Sequence, residues 1–270
     1  MENKRQNKIA LIYDFDGTLS GKYMQEYKLF PEMMMGTLQD FLEEVEKSLD
    51  RMDIILAFQY FMLKHAKERN IKMTKEFLNE AGRHIGYFEG VETWFERINE
   101  YGNQKGVEIE HYIISSGIKE LLEDCSIAKY FRKIYACEFF YDESGEAVWP
   151  ACTINSTNKT QFLFKINKGK LDTYDHIGTH EYVPHEEREI PFHNMVYIGD
   201  GATDIPCMKI VKNKGGVAVS VYGDEKTQEI SKKLFKENRV NFYTPANYTE
   251  GSELDIKIKE FIDEKSSLIN

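Results

Sequence analysis

Short runs of β-branched and aromatic residues alternate along the chain with longer segments whose apolar positions recur every three or four residues. The runs predict strands at 9–14, 112–115, 134–139, 195–198 and 216–221, with 240–243 as a candidate sixth. The longer segments predict amphipathic helices at 91–101, 118–131, 160–168, 205–212, 227–237 and 253–264. Strands and helices that alternate in this way are typical of an α/β fold with a parallel sheet.

Residues from about 21 to 86 depart from this alternation. Their apolar positions have helical spacing in three places, 38–49, 55–62 and 77–81, and no strand pattern separates them. We therefore expect a helical insertion at 21–86 that interrupts a sheet-forming unit made of 1–20 and 87–270.

Composition and charge exclude several classes of protein. The chain has 270 residues, of which 41% are hydrophobic and 30% charged, as in an ordinary globular protein. A formal net charge of -10 argues against a nucleic-acid partner, because it would repel a phosphate backbone. Apolar runs such as 54–58 are far shorter than the roughly 20 residues that span a bilayer, so no membrane segment is expected.

The N-terminal sequence and the cysteines also bear on where the protein works. Only five apolar residues precede Asp14, too few for a secretion signal, so we expect a cytoplasmic protein. The four cysteines show neither CxxC pairing nor a histidine at zinc spacing, which predicts reduced thiols and no structural zinc.

Two carboxylates follow the first predicted strand directly. In the stretch IALIYDFDGTLS, Asp14 and Asp16 project to one side of an extended chain, and Gly17 permits a sharp turn after them. The carboxyl ends of parallel strands form the ligand crevice of such sheets. Aspartate and glycine are also common turn residues, so this pair alone leaves a structural and a functional interpretation open.

A second strand end carries hydroxyl groups. The strand at 112–115 runs into Ser115, Ser116 and Gly117, which offer hydroxyl and backbone N–H groups to an anion. Serine is also a favoured helix N-cap, so this stretch is a weak signal by itself.

A third strand end supplies further carboxylates. Asp200, between two glycines directly after the strand at 195–198, is a poor helix cap, whereas Asp204 is well placed for that role. The strand ends thus bring Asp14, Asp16 and Asp200 together, and carboxylates so close are unfavourable unless a cation joins them. Oxygen ligands of this kind suit Mg²⁺.

One lysine and three histidines complete the candidate chemistry. Lys159 lies in the first turn of the helix at 160–168, where the macrodipole disfavours a cation by about 0.3–1 kcal/mol, so we favour a counter-charge for a substrate over a surface lysine. His180, His185 and His193 lie in the long connection 169–194, and we expect exposed loop histidines rather than a second metal site.

The four stretches, in this order, resemble those of the haloacid dehalogenase superfamily, and specifically its phosphatases. DFDGTLS is similar to the nucleophile motif, IISSG to the Ser/Thr motif, Lys159 to the lysine motif and GDGATD to the acidic metal motif. The resemblance implies a Rossmann-like parallel sheet with helices on both faces, a helical cap at 21–86 and obligate Mg²⁺. Residues 139–148 also resemble the small hairpin of phosphoserine phosphatase-like members.

The resemblance implies a reaction as well, the Mg²⁺-dependent hydrolysis of a small phosphorylated metabolite. Asp14 would be the nucleophile that forms an aspartyl-phosphate, and Asp16 the general acid and base. Phosphoryl oxygens would be held by Ser115, Ser116 and Lys159. The metal would be bound by Asp14, Asp16 and Asp200, and Asp204 would hold these ligands in place without binding the metal itself.

Other interpretations remain open at this point. A phosphomutase or phosphotransferase of the same superfamily would keep both aspartates, and a non-catalytic phosphate-sensing protein would also build a Mg²⁺ pocket at strand ends. A dehalogenase is disfavoured because it would lack Asp16 and the acidic metal motif. Tyr23 stands where phosphoserine phosphatases have a glutamate, and Glu26 lies three residues further on, which argues against phosphoserine as the substrate.

Overall fold

A seven-stranded sheet forms the centre of the computed structural model, which describes residues 7–268. The strands are β1 (Lys8–Tyr13), β2 (Glu108–Ile118), β3 (Phe131–Tyr141), β4 (Ala147–Cys152), β5 (Met195–Gly199), β6 (Val217–Tyr222) and β7 (Phe242–Pro245). Their order is β4-β3-β2-β1-β5-β6-β7, and within the described chain β4 alone runs antiparallel to its neighbour. The predicted parallel α/β sheet is confirmed, and β1 lies at its centre.

Helices cover both faces of this sheet. They are α1 (Leu29–Glu32), α2 (Leu38–Glu46), α3 (Ile54–Glu68), α4 (Lys75–Gly82), α5 (Val91–Gln104), α6 (Lys119–Glu123), α7 (Lys159–Lys168), α8 (His176–His180), α9 (Ile205–Asn213), α10 (Glu225–Lys236) and α11 (Glu253–Ser267). On one face Phe95 of α5 packs against Tyr13, and on the opposite face Phe162 of α7 stacks on Tyr135 with ring centroids 4.5 Å apart. This is a Rossmann-like arrangement.

Two of the predicted elements differ from the structure. The helix predicted at 118–131 is shorter than expected: β2 continues to Ile118, α6 ends at Glu123, and β3 already begins at Phe131. Cross-strand pairing explains both changes, because Ile118 pairs with Cys137 and Phe131 pairs with His111. The insertion at 21–86 contains four α-helices rather than three, because the short α1 was not predicted.

The inserted helical segment 21–86 is joined to the β3–β4 hairpin and to α6 at several places. The backbone N–H of Ala147 donates to the carbonyl of Met73 at 2.9 Å, and Thr74 forms a β-bridge with Glu146. Gly82 packs so closely on the carbonyl of Leu121 that a Cβ atom at this position would collide with it. Arg83 is also paired with Asp124 at 2.7 Å.

The central strands are locked to α5 by a buried chain of hydrogen bonds. Trp94 Nε1 donates to the hydroxyl of Tyr13 at 2.8 Å, and that hydroxyl lies 3.1 Å from Nδ1 of His111. Nε2 of His111 lies 3.0 Å from Oδ1 of Asn99. Since Asn99 Oδ1 can only accept, Nε2 carries the ring proton and Nδ1 accepts from Tyr13.

The described part of the chain can be searched for a membrane-spanning helix and for bonded cysteines. Between residues 7 and 268, no helix combines the length and the apolar character needed to cross a membrane. All four cysteines are free thiols, and three of them are buried.

Candidate active site

The polar side chains singled out in the sequence follow neighbouring strands at one edge of the sheet. Asp14 comes directly after β1, and its backbone N–H donates to the carbonyl of Ile198 in β5 at 2.9 Å. Asp200 follows β5, and Ser115 lies near the C-terminal end of β2, the other neighbour of β1. Parallel pairing therefore delivers the three motifs to one edge.

Lys159, the first residue of α7, is completely buried between two carboxylates. Its Nζ lies 2.9 Å from Oδ1 of Asp14 and 2.8 Å from Oδ1 of Asp204. The interpretation as a surface lysine is thus wrong. A buried ammonium is retained only when paired charges and hydrogen bonds compensate its desolvation, and these two aspartates do so.

Asp204 pairs with Lys159 rather than capping α9. It is the N-cap residue of α9, but its side chain makes no cap hydrogen bond. Oδ1 instead accepts from Lys159 and from the buried hydroxyl of Tyr197 at 2.7 Å, while Oδ2 accepts from the backbone N–H of Gly201 at 3.4 Å. This geometry fits the supporting role expected from the sequence.

Asp14, Asp200 and Asp204 form a compact acidic cluster. One carboxylate oxygen from each lies within 4.8 Å of the others. Burial, reinforced by the charge of Asp204 and only partly offset by Lys159, raises the pKa of Asp14 to about 6. Burial, reinforced by Asp204 and Asp14, raises the pKa of Asp200 to about 8. Both shifts show that negative charge in this cluster lacks full compensation.

The charge of the cluster matches a divalent cation. When all three carboxylates are ionised, one ammonium leaves two negative charges uncompensated in a largely desolvated site. Carboxylate oxygens are the donors that hard divalent cations prefer. The residues present therefore fit a divalent metal, for which Asp14 and Asp200 would supply carboxylate ligands.

Asp16 is placed differently from the other aspartates. Its side chain is outside the acidic cluster, and Oδ1 accepts the backbone N–H of Met24 at 2.8 Å, at the start of the 3₁₀ turn Met24–Glu26. Burial, followed by the charge of Asp14, raises the pKa of Asp16 well above its usual range. A carboxyl group with a raised pKa beside an acidic cluster is suited to proton transfer.

The turn after Asp16 needs glycine for two reasons. Gly17 has φ +75°, and a Cβ atom there would collide with the carboxylate of Asp200. The turn closes on itself through a 2.7 Å hydrogen bond from the N–H of Gly17 to the carbonyl of Ser20. Glycine at position 17 thus allows the turn after Asp16 to pack directly against Asp200.

The hydroxyl groups near the site differ in their hydrogen bonds. Ser115 Oγ accepts the N–H of Gly117 at 2.9 Å, and Ser115 is buried. The hydroxyl oxygens of Ser116 and Thr18 are buried without a hydrogen-bond partner among residues 7–268. A buried hydroxyl without a partner is unfavourable unless a ligand completes it.

The histidines of the long connection do not form a second metal site. In the described part of the chain, the one group of potential metal ligands is the acidic cluster. The expectation of loop histidines is consistent with this result.

Comparison with the sequences of known proteins identifies a relative of this chain. No protein-family model matches it. An uncharacterized protein of Borreliella burgdorferi is 34% identical over 283 residues, which cover 93% of this chain and 95% of that protein. The chain belongs to the same family as this protein.

Solved structures identify the fold. A haloacid dehalogenase family hydrolase of Salmonella enterica serovar Typhi superposes with a TM-score of 0.61 at 16% identity, covering 96% of this chain and 72% of that chain. A phosphoserine phosphatase in a phospho-aspartyl intermediate analogue state has a TM-score of 0.56 at 16% identity, covering 94% and 99%. The fold is that of the haloacid dehalogenase family. A phosphoserine phosphohydrolase-like protein of Francisella tularensis has the same fold, with a TM-score of 0.53 at 17% identity over 93% and 98% of the two chains.

One residue that contacts the turn after Asp14 and Asp16 was not indicated by the sequence patterns. Tyr248, between β7 and α11, donates its hydroxyl to the carbonyl of Thr18 at 2.9 Å. The stretch around Tyr248, PANYTEG, reads as an ordinary turn, and no local pattern could reveal a contact across 230 positions.

Proposed function

We propose that the protein is a Mg²⁺-dependent phosphatase that hydrolyses a small phosphate monoester through an aspartyl-phosphate on Asp14. The observation that carries this proposal is the buried pairing of Lys159 with Asp14 and Asp204 beside Asp200. A purely structural ion pair would not need a third carboxylate at the same strand ends. The haloacid dehalogenase fold, shared with phosphoserine phosphatases, supports the same assignment.

In the first half-reaction, a carboxylate oxygen of Asp14 attacks phosphorus and the bond between phosphorus and the ester oxygen breaks. The raised pKa of Asp16 lets this carboxyl group carry the proton that the departing alkoxide takes up. Lys159 orients Asp14 and offers positive charge to the phosphoryl oxygens. The buried hydroxyl of Ser116 and the strand-end hydroxyl of Ser115 hold these oxygens as well.

In the second half-reaction, Asp16 removes a proton from water, which attacks phosphorus and breaks its bond to Asp14. Inorganic phosphate leaves, and both aspartates return to their starting states. A bound Mg²⁺, held by Asp14, Asp200 and the backbone carbonyl of Asp16, would neutralise charge on the transferring group. Asp204 keeps Lys159 in place throughout.

We assign the inserted segment 21–86 the role of a cap over the strand-end site, and residues 1–20 with 87–270 the role of the catalytic core. Tyr23 begins the 3₁₀ turn Met24–Glu26, and the first N–H of this turn donates to Asp16, so the start of the segment borders the site. A cap that excludes bulk water favours small phosphorylated metabolites over macromolecular substrates. We also expect such an enzyme to work in the cytoplasm.

The proposal is tested with p-nitrophenyl phosphate and a panel of phosphorylated metabolites, by measuring release of inorganic phosphate. We expect turnover by the parent protein with Mg²⁺ and none by Asp14→Asn, because an amide keeps the shape but cannot attack phosphorus. Asp263→Asn, at an exposed position on α11, is the matched control and should keep full activity. Residual activity of Asp14→Asn above a few per cent would refute the covalent mechanism, and transfer without phosphate release would indicate a phosphotransferase.

A further inference from the structure

Tyr248 connects the C-terminal part of the chain to the turn that follows the proposed nucleophile. Its hydroxyl donates to the carbonyl oxygen of Thr18 at 2.9 Å, and both residues have an exposed fraction of 0%. None of the four sequence motifs includes Tyr248. Its contact therefore adds a feature that the motifs do not explain.

The ring of Tyr248 is held in a rigid frame. Its backbone N–H donates to the carbonyl of Glu89 at 2.8 Å, and its carbonyl accepts from the guanidinium of Arg97 at 2.5 Å. The indole of Trp94 packs edge-on against the ring, with centroids 5.4 Å apart. Gly90 approaches the backbone of Tyr248 so closely that a Cβ atom there would collide with it. The hydroxyl therefore has a fixed position rather than that of a freely rotating side chain.

The turn that receives this hydrogen bond is short and internally closed. The carbonyl of Phe15 accepts from the N–H groups of Leu19 at 2.8 Å and Ser20 at 3.1 Å. Asp16 lies inside this turn, two residues before Thr18. A displacement of the Thr18 carbonyl is consequently passed on to Asp16 through only two peptide units.

We propose that Tyr248 is a positioning residue that fixes the Asp14–Thr18 turn, so that the carboxyl group of Asp16 faces the leaving group. This inference rests on the proposed phosphatase function. Replacing Tyr248 with Phe removes one buried hydrogen bond and leaves the ring packing in place. The Thr18 carbonyl then loses its partner, and the turn can relax away from the geometry needed for proton transfer.

This role predicts a dependence on the leaving group that a loss of stability would not produce. A 2,4-dinitrophenolate departs without a proton, whereas the phenolate of phenyl phosphate benefits from a general acid. The ratio kcat/KM reports the steps up to formation of the aspartyl-phosphate. A misplaced Asp16 therefore lowers kcat/KM for phenyl phosphate and leaves that for 2,4-dinitrophenyl phosphate nearly unchanged.

The experiment compares kcat/KM of the full-length parent, Tyr248→Phe and Tyr135→Phe on both substrates with Mg²⁺. Tyr135 is the matched control, because it is also a buried tyrosine whose hydroxyl donates to a backbone carbonyl, that of Leu171 at 3.1 Å. We expect Tyr248→Phe to lose about tenfold on phenyl phosphate, a fraction of the 10²–10⁴-fold that a general acid contributes, and less than twofold on the dinitrophenyl ester. Tyr135→Phe should change both values equally or not at all.

Each other outcome counts against a specific claim. Equal losses on both substrates, or no loss, overturn the role of Tyr248 and leave the phosphatase function intact. A parent that hydrolyses neither substrate overturns the proposed function and this inference with it. If Tyr248→Phe does not fold, Arg97→Gln tests the same frame, because it removes the donor to the Tyr248 carbonyl; it should show the same selective loss, and parallel losses would refute the inference.

Discussion

The buried histidine on β2 makes the stability of the protein depend on pH in a way that can be measured. Both ring nitrogens of His111 are engaged, with Nε2 donating to Asn99 and Nδ1 accepting from Tyr13. A second ring proton would have no acceptor, because the Tyr13 hydroxyl already points its hydrogen at Nδ1. Burial accordingly lowers the pKa of His111 to about 3.

The magnitude follows from proton linkage. The unfolded chain binds a proton at His111 below about pH 6.5, whereas the folded protein binds this proton only below about pH 3. In this window the free energy of unfolding falls as the pH falls, by roughly 1.4 kcal/mol per pH unit. Between pH 7.5 and pH 5 the loss from this one residue is about 2 kcal/mol, a large share of the 5–15 kcal/mol typical of a folded domain.

Urea unfolding of the parent and of His111→Gln at pH 7.5, 6 and 5 measures this contribution. Glutamine does not titrate, so the variant should lose about 2 kcal/mol less than the parent between the two extremes, whatever its absolute stability. The carboxylates of the site titrate in both proteins and cancel in the comparison. His185→Gln, at an exposed position, controls for the removal of any histidine.

Parallel pH profiles for the parent and His111→Gln would refute this reasoning. Such a result would mean that the ring accepts a proton in the folded state, and that the hydrogen-bond chain from Trp94 to Asn99 is rearranged.

Three further predictions concern the metal and the nucleophile turn. EDTA should inactivate the enzyme and Mg²⁺ restore it, whereas Ca²⁺ should not, because its looser coordination misplaces the nucleophile; full activity in chelator would contradict the metal site. Asp200→Asn should raise the melting temperature measured without metal and reduce the increase in melting temperature that Mg²⁺ causes. In the parent, a hundredfold excess of Mg²⁺ over Kd stabilises the folded state by about 2.7 kcal/mol. An equally large increase in the variant would show that Asp200 is not a ligand. Gly17→Ala should reduce turnover at least tenfold, because the new methyl group collides with Asp200, whereas Gly106→Ala, with the similar φ of +74° and open space around it, should keep its activity.

The strand ends could be predicted because their signal is local. The apolar runs of β1 and β5 stop shortly before Asp14 and Asp200, and that of β2 stops at Ser115, although β2 itself continues to Ile118. The parallel topology then brings these positions together without further information. Lys159 could be singled out because a lysine in the first helical turn is unfavourable without a partner.

The features that escaped prediction depend on contacts between distant parts of the chain. The residues 118–131 have helical spacing, yet pairing of Phe131 with His111 draws the last of them into the sheet. The side chain of Asp16 turns toward Met24 rather than toward the acidic cluster, because the backbone N–H of the 3₁₀ turn needs an acceptor. Tyr248 is recognised only from the folded chain, since 230 residues separate it from its partner.

The attachment of the helical segment 21–86 to the hairpin has a consequence for how the protein unfolds. Gln59 of α3 donates to the carbonyls of Glu138 and Cys152, each at 3.4 Å, and Met73 accepts from Ala147, so the segment completes hydrogen bonds of the sheet edge. Neither part can melt without exposing buried polar groups of the other. The two should therefore behave as a single cooperative unit, and the segment should not be removable or transferable to another protein without its hairpin.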